Sequence, residues 1–218
     1  MDKLRILYEQ TGRSVWCSHL DTMRTWQRAM NRASVPIKYS EGFNPHALIS
    51  ILLPLSVGTE SVCQMVDIRV QEDVELSALP ARLNAALPEG LRVLSCYEEG
   101  KKCAEMKWLR VEGHWEYDAA EPESMASALR ELFSRPVEVL RKTKRGEGNF
   151  TLTEHIRDLS FTAEQGGVCV RGILSCCDPV VNPDLITAAV KQNAPALAPD
   201  GGHFRRMEIF TADGRLFR

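Results

Sequence analysis

The sequence predicts an α+β fold made of two tandem ferredoxin-like (βαββαβ) units, the second with an insertion. Three observations lead there. Segments of strand length with apolar or alternating residues bracket segments with apolar residues at helical spacing. Over residues 1–98 their order is strand, helix, strand, strand, helix, strand, the order of a split βαβ unit. A polar stretch, 99–106, then separates a second run of elements over 107–218 that repeats the order with an addition.

In the first half, residues 3–8 read as a strand with Leu4, Ile6 and Tyr8 on one face. Residues 18–33 read as an amphipathic helix. Ser18 and Asp21 form a capping-box-like start, and Leu20, Met23, Trp26, Met30 and Ala33 fall on one side. Pro36, Gly42 and Asn44-Pro45 end that element. Residues 47–53 and 64–70 follow as strands. A helix is expected over 77–87, with Pro80 in its first turn, and a strand over 91–97.

In the second half a strand is expected over 108–117, then a helix over 122–134 opened by Pro122, then a strand over 137–142. A basic loop follows, then two strands around Gly166-Gly167. Asn182 and Pro183 read as N-cap and first residue of the last helix, and a final hairpin turns at Asp213-Gly214. No sequence repeat accompanies the repeated order.

The chain has 218 residues, 27 Lys and Arg against 29 Asp and Glu, and a net charge of −2. With 44% hydrophobic and 26% charged residues it has globular composition, which excludes disorder. No apolar run approaches the ~20 residues that span a bilayer, and the first residues have no signal-peptide core, so no membrane partner and a cytoplasmic location are expected. Near-neutrality excludes coating of nucleic acid by bulk charge while allowing local basic patches. Seven cysteines without a C-x-x-C pair read as free thiols, not as a zinc or thioredoxin-type site.

Three constellations could carry chemistry. His19 and Asp21 lie in the first turn of the 18–33 helix. The loop 40–46 could bring His46 towards them, forming an acid–base or metal site; helix capping explains Ser18 and Asp21 equally well. Arg24, Arg28 and Arg32 recur every four residues and so line one helix face, with Lys38 following. Such a stripe suits RNA phosphate or a solvated face, and Phe43, in the glycine-containing loop, is the candidate for base stacking. Arg141, Lys142, Lys144 and Arg145 lead into Gly146, again suited to phosphate contact or to a solvated hairpin tip. The phosphate loop, the dinucleotide fingerprint, the nucleophile elbow and the C-x₃-C-x₂-C cluster motif are all absent, so no cofactor or resident metal is implied.

Ser18-His19-Leu20-Asp21, Arg28-Ala29, Pro36, Tyr39-Ser40, Gly42-Phe43-Asn44-Pro45-His46 and Pro54-Leu55-Ser56-Val57-Gly58 together resemble one family. It is the uncharacterised bacterial "radical SAM-linked protein" family, found alone or fused C-terminal to radical S-adenosylmethionine enzymes. The resemblance implies a radical S-adenosylmethionine enzyme as partner and a link to ribosome or RNA metabolism. It implies no known reaction. Three expectations follow: an accessory module holding structured RNA, an RNA-cleaving or metal-dependent enzyme using His19, Asp21 and His46, or a protein–protein adaptor. The tandem arrangement is also similar to that of CRISPR repeat-processing endonucleases, a likeness of architecture that does not fix function.

Overall fold

The computed structural model describes residues 2–143 and 146–218, with the side chains of 142 and 143 outside the described set. The fold is α+β, and the chain divides into two units, Met1–Glu105 with Phe217–Arg218 and Met106–Leu216. No helix among the described residues is long and apolar enough to cross a membrane.

The first unit contains β1 (Lys3–Gln10), α1 (His19–Arg32), β2 (Ile49–Leu52), β3 (Glu60–Arg69), α2 (Leu79–Asn84) and β4 (Leu91–Glu98). Its sheet runs β4-β1-β3-β2 with antiparallel pairing throughout. Side chains alternate across a strand, so Leu4, Ile6 and Tyr8 of β1 share one face. They are buried there against Trp26 and Met30 of α1, Leu79 and Leu83 of α2, and Val66 and Ile68 of β3. Trp26 is thus a core residue, its ring edge-on to Tyr8 at 4.7 Å. Leu20, expected on the same apolar side, is instead 64% exposed. It lies in the first turn of α1, where the apolar stripe runs past its partners. β4 is an edge strand. Its Val93 N–H donates to Asn84 Oδ1 at 2.7 Å, and its carbonyl accepts from Asn84 Nδ2 at 3.0 Å, so one amide side chain occupies both outward-facing backbone groups.

The second unit contains β5 (Met106–Glu116), α3 (Pro122–Leu132), β6 (Glu138–Thr143), β7 (Gly146–Thr151), β8 (Ile156–Glu164), β9 (Gly167–Ser175), α4 (Asp184–Asn193) and β10 (Gly201–Thr211). Its main sheet runs β10-β5-β9-β8, again antiparallel, and β6 and β7 pair separately as an inserted hairpin. Strand β7 corrects the expected loop: Gly146, Glu147, Gly148 and Asn149 have poor strand propensity, and pairing with β6 imposes the conformation. The last helix starts one residue later than expected. Pro183 takes the cap position, and Asn182 Oδ1 accepts the Asp184 N–H at 3.2 Å. The expected final hairpin reduces to a turn after β10, closed by a single bridge between Phe210 and Leu216.

Both helices of this unit cover one face of its sheet. Trp115 of β5 packs edge-on to Phe204 of β10 at 6.2 Å and tilted to Phe161 of β8 at 5.9 Å, with Phe133 beyond. Gly113 makes room for this cluster: a Cβ there would lie 2.5 Å from the Phe204 ring.

Candidate functional site

The start of α1 is capped by the Ser18 side chain. Ser18 Oγ accepts the Asp21 N–H at 3.2 Å and donates to the Asp21 carboxylate at 2.7 Å. The Ser18 hydroxyl, and then Arg24, whose guanidinium lies 3.3 Å away, hold the Asp21 carboxyl below its usual range. The Asp21 carboxylate is therefore engaged by Ser18 and Arg24. His19 borders a cleft of about 10 Å³ with Tyr8, Gln10, Cys17 and Gln64, room for a single water and for no substrate.

His46 stands elsewhere. Ser40 Oγ accepts the His46 backbone N–H at 3.1 Å and lies 2.8 Å from Nδ1, while the Ser40 N–H donates to the His46 carbonyl at 2.9 Å. These bonds tie the two ends of the 40–46 loop together. The His46 side borders a cavity of about 290 Å³ with Lys3, Ser50, Asp67, Arg69 and Glu99. No residue is shared with the His19 cleft. Along β1 the two cavities lie at opposite ends, at Lys3 and at Tyr8, about 17 Å apart at ~3.3 Å per residue. The structure therefore does not bring His19, Asp21 and His46 together around one cavity. Among the described residues no group of three or more His, Cys, Asp or Glu could hold a metal ion.

The 290 Å³ cavity rests on a residue that sequence reading missed. Arg5 is fully buried, and its Nε and Nη2 donate to both carboxylate oxygens of Asp67 at 2.7 and 2.8 Å. Its Nη1 donates to the Lys101 carbonyl at 2.9 Å, and the guanidinium lies over the Phe217 ring at 4.8 Å. Burial lowers its pKa, but the hydrogen bonds and charge of Asp67, with Tyr97 and Glu99, raise it on balance and keep it charged. The remaining cavity charges are also paired, Lys3 with Glu99 at 3.4 Å and Arg69 with Asp2 at 3.9 Å. Such a lining suits a small polar ligand more than a polyanion. The only sequence signal for Arg5 was a lone charge inside an apolar strand.

The arginine stripe divides. Arg32 Nη2 donates to the Ala86 carbonyl at 2.5 Å and so ties α1 to the end of α2. Arg24 is 66% exposed and bonded only within its own helix turn, to Asp21. Arg28 is exposed and unpaired among the described residues. Lys38 pairs with Asp2 at 3.3 Å, and Phe43 is fully exposed. In the inserted hairpin, Arg141 donates to the Val180 carbonyl at 2.9 Å and lies 5.2 Å over Phe150, which stacks on His155. Lys144 and Arg145 lie outside the described residues, as does the side chain of Lys142.

A family model described as "uncharacterized protein conserved in bacteria (DUF2344)" matches residues 3–183, most of the chain. The chain belongs to that family. No curated protein matches this DUF2344 chain. Among solved structures it is similar to the small subunit of acetolactate synthase from Thermotoga maritima, at 10% identity and TM-score 0.27, covering 94% of each chain. It is also similar to Thermus thermophilus Cse3 bound to an RNA representing a pre-cleavage complex, at 14% identity and TM-score 0.20, covering 93% of this chain and 98% of the other. Overlays this loose carry no argument about mechanism. In the DUF2344 protein the matched span takes in the Ser18 cap, the arginine face of α1, the 40–46 loop and the inserted hairpin.

Proposed function

We propose that this protein is an accessory module of a radical S-adenosylmethionine enzyme, holding structured ribosomal or transfer RNA for that enzyme. We read each unit as ferredoxin-like, from its βαββαβ order and its matching strand order. The observation that carries the functional reading is the outer face of α1. Arg24 and Arg28 stand one turn apart in solvent, and Arg28 has no protein partner among the described residues. Two guanidinium groups at that spacing can bridge successive phosphates, and the exposed ring of Phe43 supplies a stacking surface in the same unit. The resemblance of the S-H-L-D and G-F-N-P-H segments to the radical SAM-linked family supports the choice of partner.

The separate cavities of His19 and His46 favour binding over catalysis. Fluorescence anisotropy with a hairpin RNA at 50 mM salt tests the reading. The double variant Arg24→Gln/Arg28→Gln should weaken binding at least tenfold and lower the salt slope by about 2, at roughly 0.9 per phosphate contact. Unchanged affinity would remove the α1 face from the interface. Co-purification with the radical enzyme that survives nuclease treatment would instead favour a protein–protein adaptor.

A further inference from the structure

The second unit has a sheet face that its helices leave uncovered. On β5 the residues Leu109, Val111 and Trp115 are buried beneath the helices, so Trp108, Arg110, Glu112 and His114 point the other way. The β5–β10 register sets Trp108 beside Phe210 and Arg110 beside Glu208 on that face. The β5–β9 register adds Arg171 beside Glu112. The Arg110 and Arg171 side chains are each 51% exposed, so the face is open to solvent.

Two features give this face a chemistry. Neighbouring aromatic rings each already hold a planar cation: the Arg157 guanidinium lies 3.7 Å over Trp108, and that of Arg110 lies 5.0 Å over Phe210. A ring face that accepts a flat guanidinium accepts a flat nucleobase equally, and the guanidinium can itself stack on the base. The second feature is charge. Arg110 is balanced by Glu208 at 3.6 Å and Arg171 by Glu112 at 2.7 Å, whereas Arg157 is exposed and pairs with no carboxylate among the described residues. Glu164 also stands on this face, 3.6 Å from His114 and 4.0 Å from Arg171. The face thus combines two adjacent stacking rings with one cation, Arg157, that has no carboxylate partner among the described residues and lies on the side of Trp108 away from Phe210.

The geometry points to a binding site for unpaired RNA on this face, with successive bases at Trp108 and Phe210 and a flanking phosphate at Arg157, on the β8 side of Trp108. Duplex RNA is excluded, because its bases are already stacked and its grooves do not offer them to a flat sheet. The mostly paired charges make this binding stacking-driven and only weakly salt-dependent. The inference rests on the proposal that the chain holds RNA, and adds that the second unit takes an unpaired segment of it.

The test uses the full chain with three fluorescent probes: a ten-nucleotide unstructured RNA, a DNA of the same sequence, and a hairpin RNA with a short closed loop. Trp108→Leu/Phe210→Leu should weaken binding of the unstructured RNA at least tenfold while hairpin affinity stays within twofold. Trp108→Phe should keep affinity within threefold while the quenching of protein fluorescence by the oligonucleotide falls. Arg157→Gln, which removes no core contact, keeps the test valid if the double variant fails to fold; it should cost twofold to tenfold. Unchanged affinity for unstructured RNA in Arg157→Gln or the double variant overturns the inference, as does tighter binding of the DNA. Hairpin binding by the wild type without binding of unstructured RNA sinks this site alone. Failure of both RNAs to bind sinks the functional reading with it.

Discussion

Arg32 and Arg82 each donate to backbone carbonyls at the end of the other's helix. Arg32 of α1 reaches Ala86, just past α2, at 2.5 Å, and Arg82 of α2 reaches Ala33 and Ser34, just past α1, at 2.7 and 3.0 Å. The last carbonyls of a helix lack partners within it and carry partial negative charge, so a cation there both completes the hydrogen bonding and complements the dipole. The two arginines cross-tie the helical layer of the first unit.

Because both cross-ties fix the same pair of helix ends, they should be coupled. Arg32→Ala and Arg82→Ala should each cost about 0.5–1.5 kcal/mol in urea unfolding, and the double variant less than their sum. Arg32→Ala should also disturb RNA affinity far less than Arg28→Ala. Equal RNA effects with unchanged stability would return Arg32 to the binding face.

The buried pair of Arg5 and Asp67 should dominate the stability of the first unit. Removing one partner leaves an uncompensated buried charge, at about 3–5 kcal/mol. Arg5→Ala is expected to unfold the first unit well before the second, visible as a split thermal transition. Double replacement by apolar residues of similar volume should recover much of the loss. A single transition shifted by only one or two degrees would contradict this account.

Helix α1 should weaken in acid. The Asp21 pKa is depressed in the folded state, so its contribution is fully present above the unfolded carboxylate value near ~3.9 and fades as pH falls through the lower folded value. Ser18→Ala should cost about 1 kcal/mol at neutral pH and remove part of that acid dependence. Circular dichroism melts at pH 3 and pH 7 of both proteins would check it. An Asp21→Asn variant with the wild-type acid profile would refute it.

The seven thiols should separate by reactivity. Cys17 and Cys103 are exposed, whereas burial pushes Cys96 up to about 12 and Cys169 up to about 11. A short alkylation at pH 8 followed by peptide mass spectrometry should label Cys17 and Cys103 first. Modification of Cys96 or Cys169 at the same rate would mean that the folded chain opens locally.

How much of this was legible depended on how local the cause was. The Ser18–Asp21 cap and the periodicity through Trp26 and Met30 are encoded within α1 itself, and that helix reads almost to the residue. Leu20 misled because a stripe marks a face without saying where the partner surface stops. Strand β7 was invisible because Gly146 and Gly148 carry no strand signal, and the instruction comes from the pairing strand. Arg5 and Asp67 are 62 positions apart, so nothing near either announces the other. The open face of the second unit lay half in view: a strand over 108–117 was expected, but the partnership of Trp108 with Phe210 is a matter of register. The arginines of α1 are legible as a pattern, and only the approach of the α2 end separates the engaged Arg32 from Arg28.

The amide of Asn84 has a consequence for the protein in a crowded cell. An outermost strand offers a row of free donors and acceptors on which any passing extended peptide can assemble. At Val93 that row is already filled by a side chain that imitates a neighbouring strand and then ends. Further growth of the sheet from that position is terminated at the cost of one polar residue, which helps keep the first unit from recruiting copies of itself.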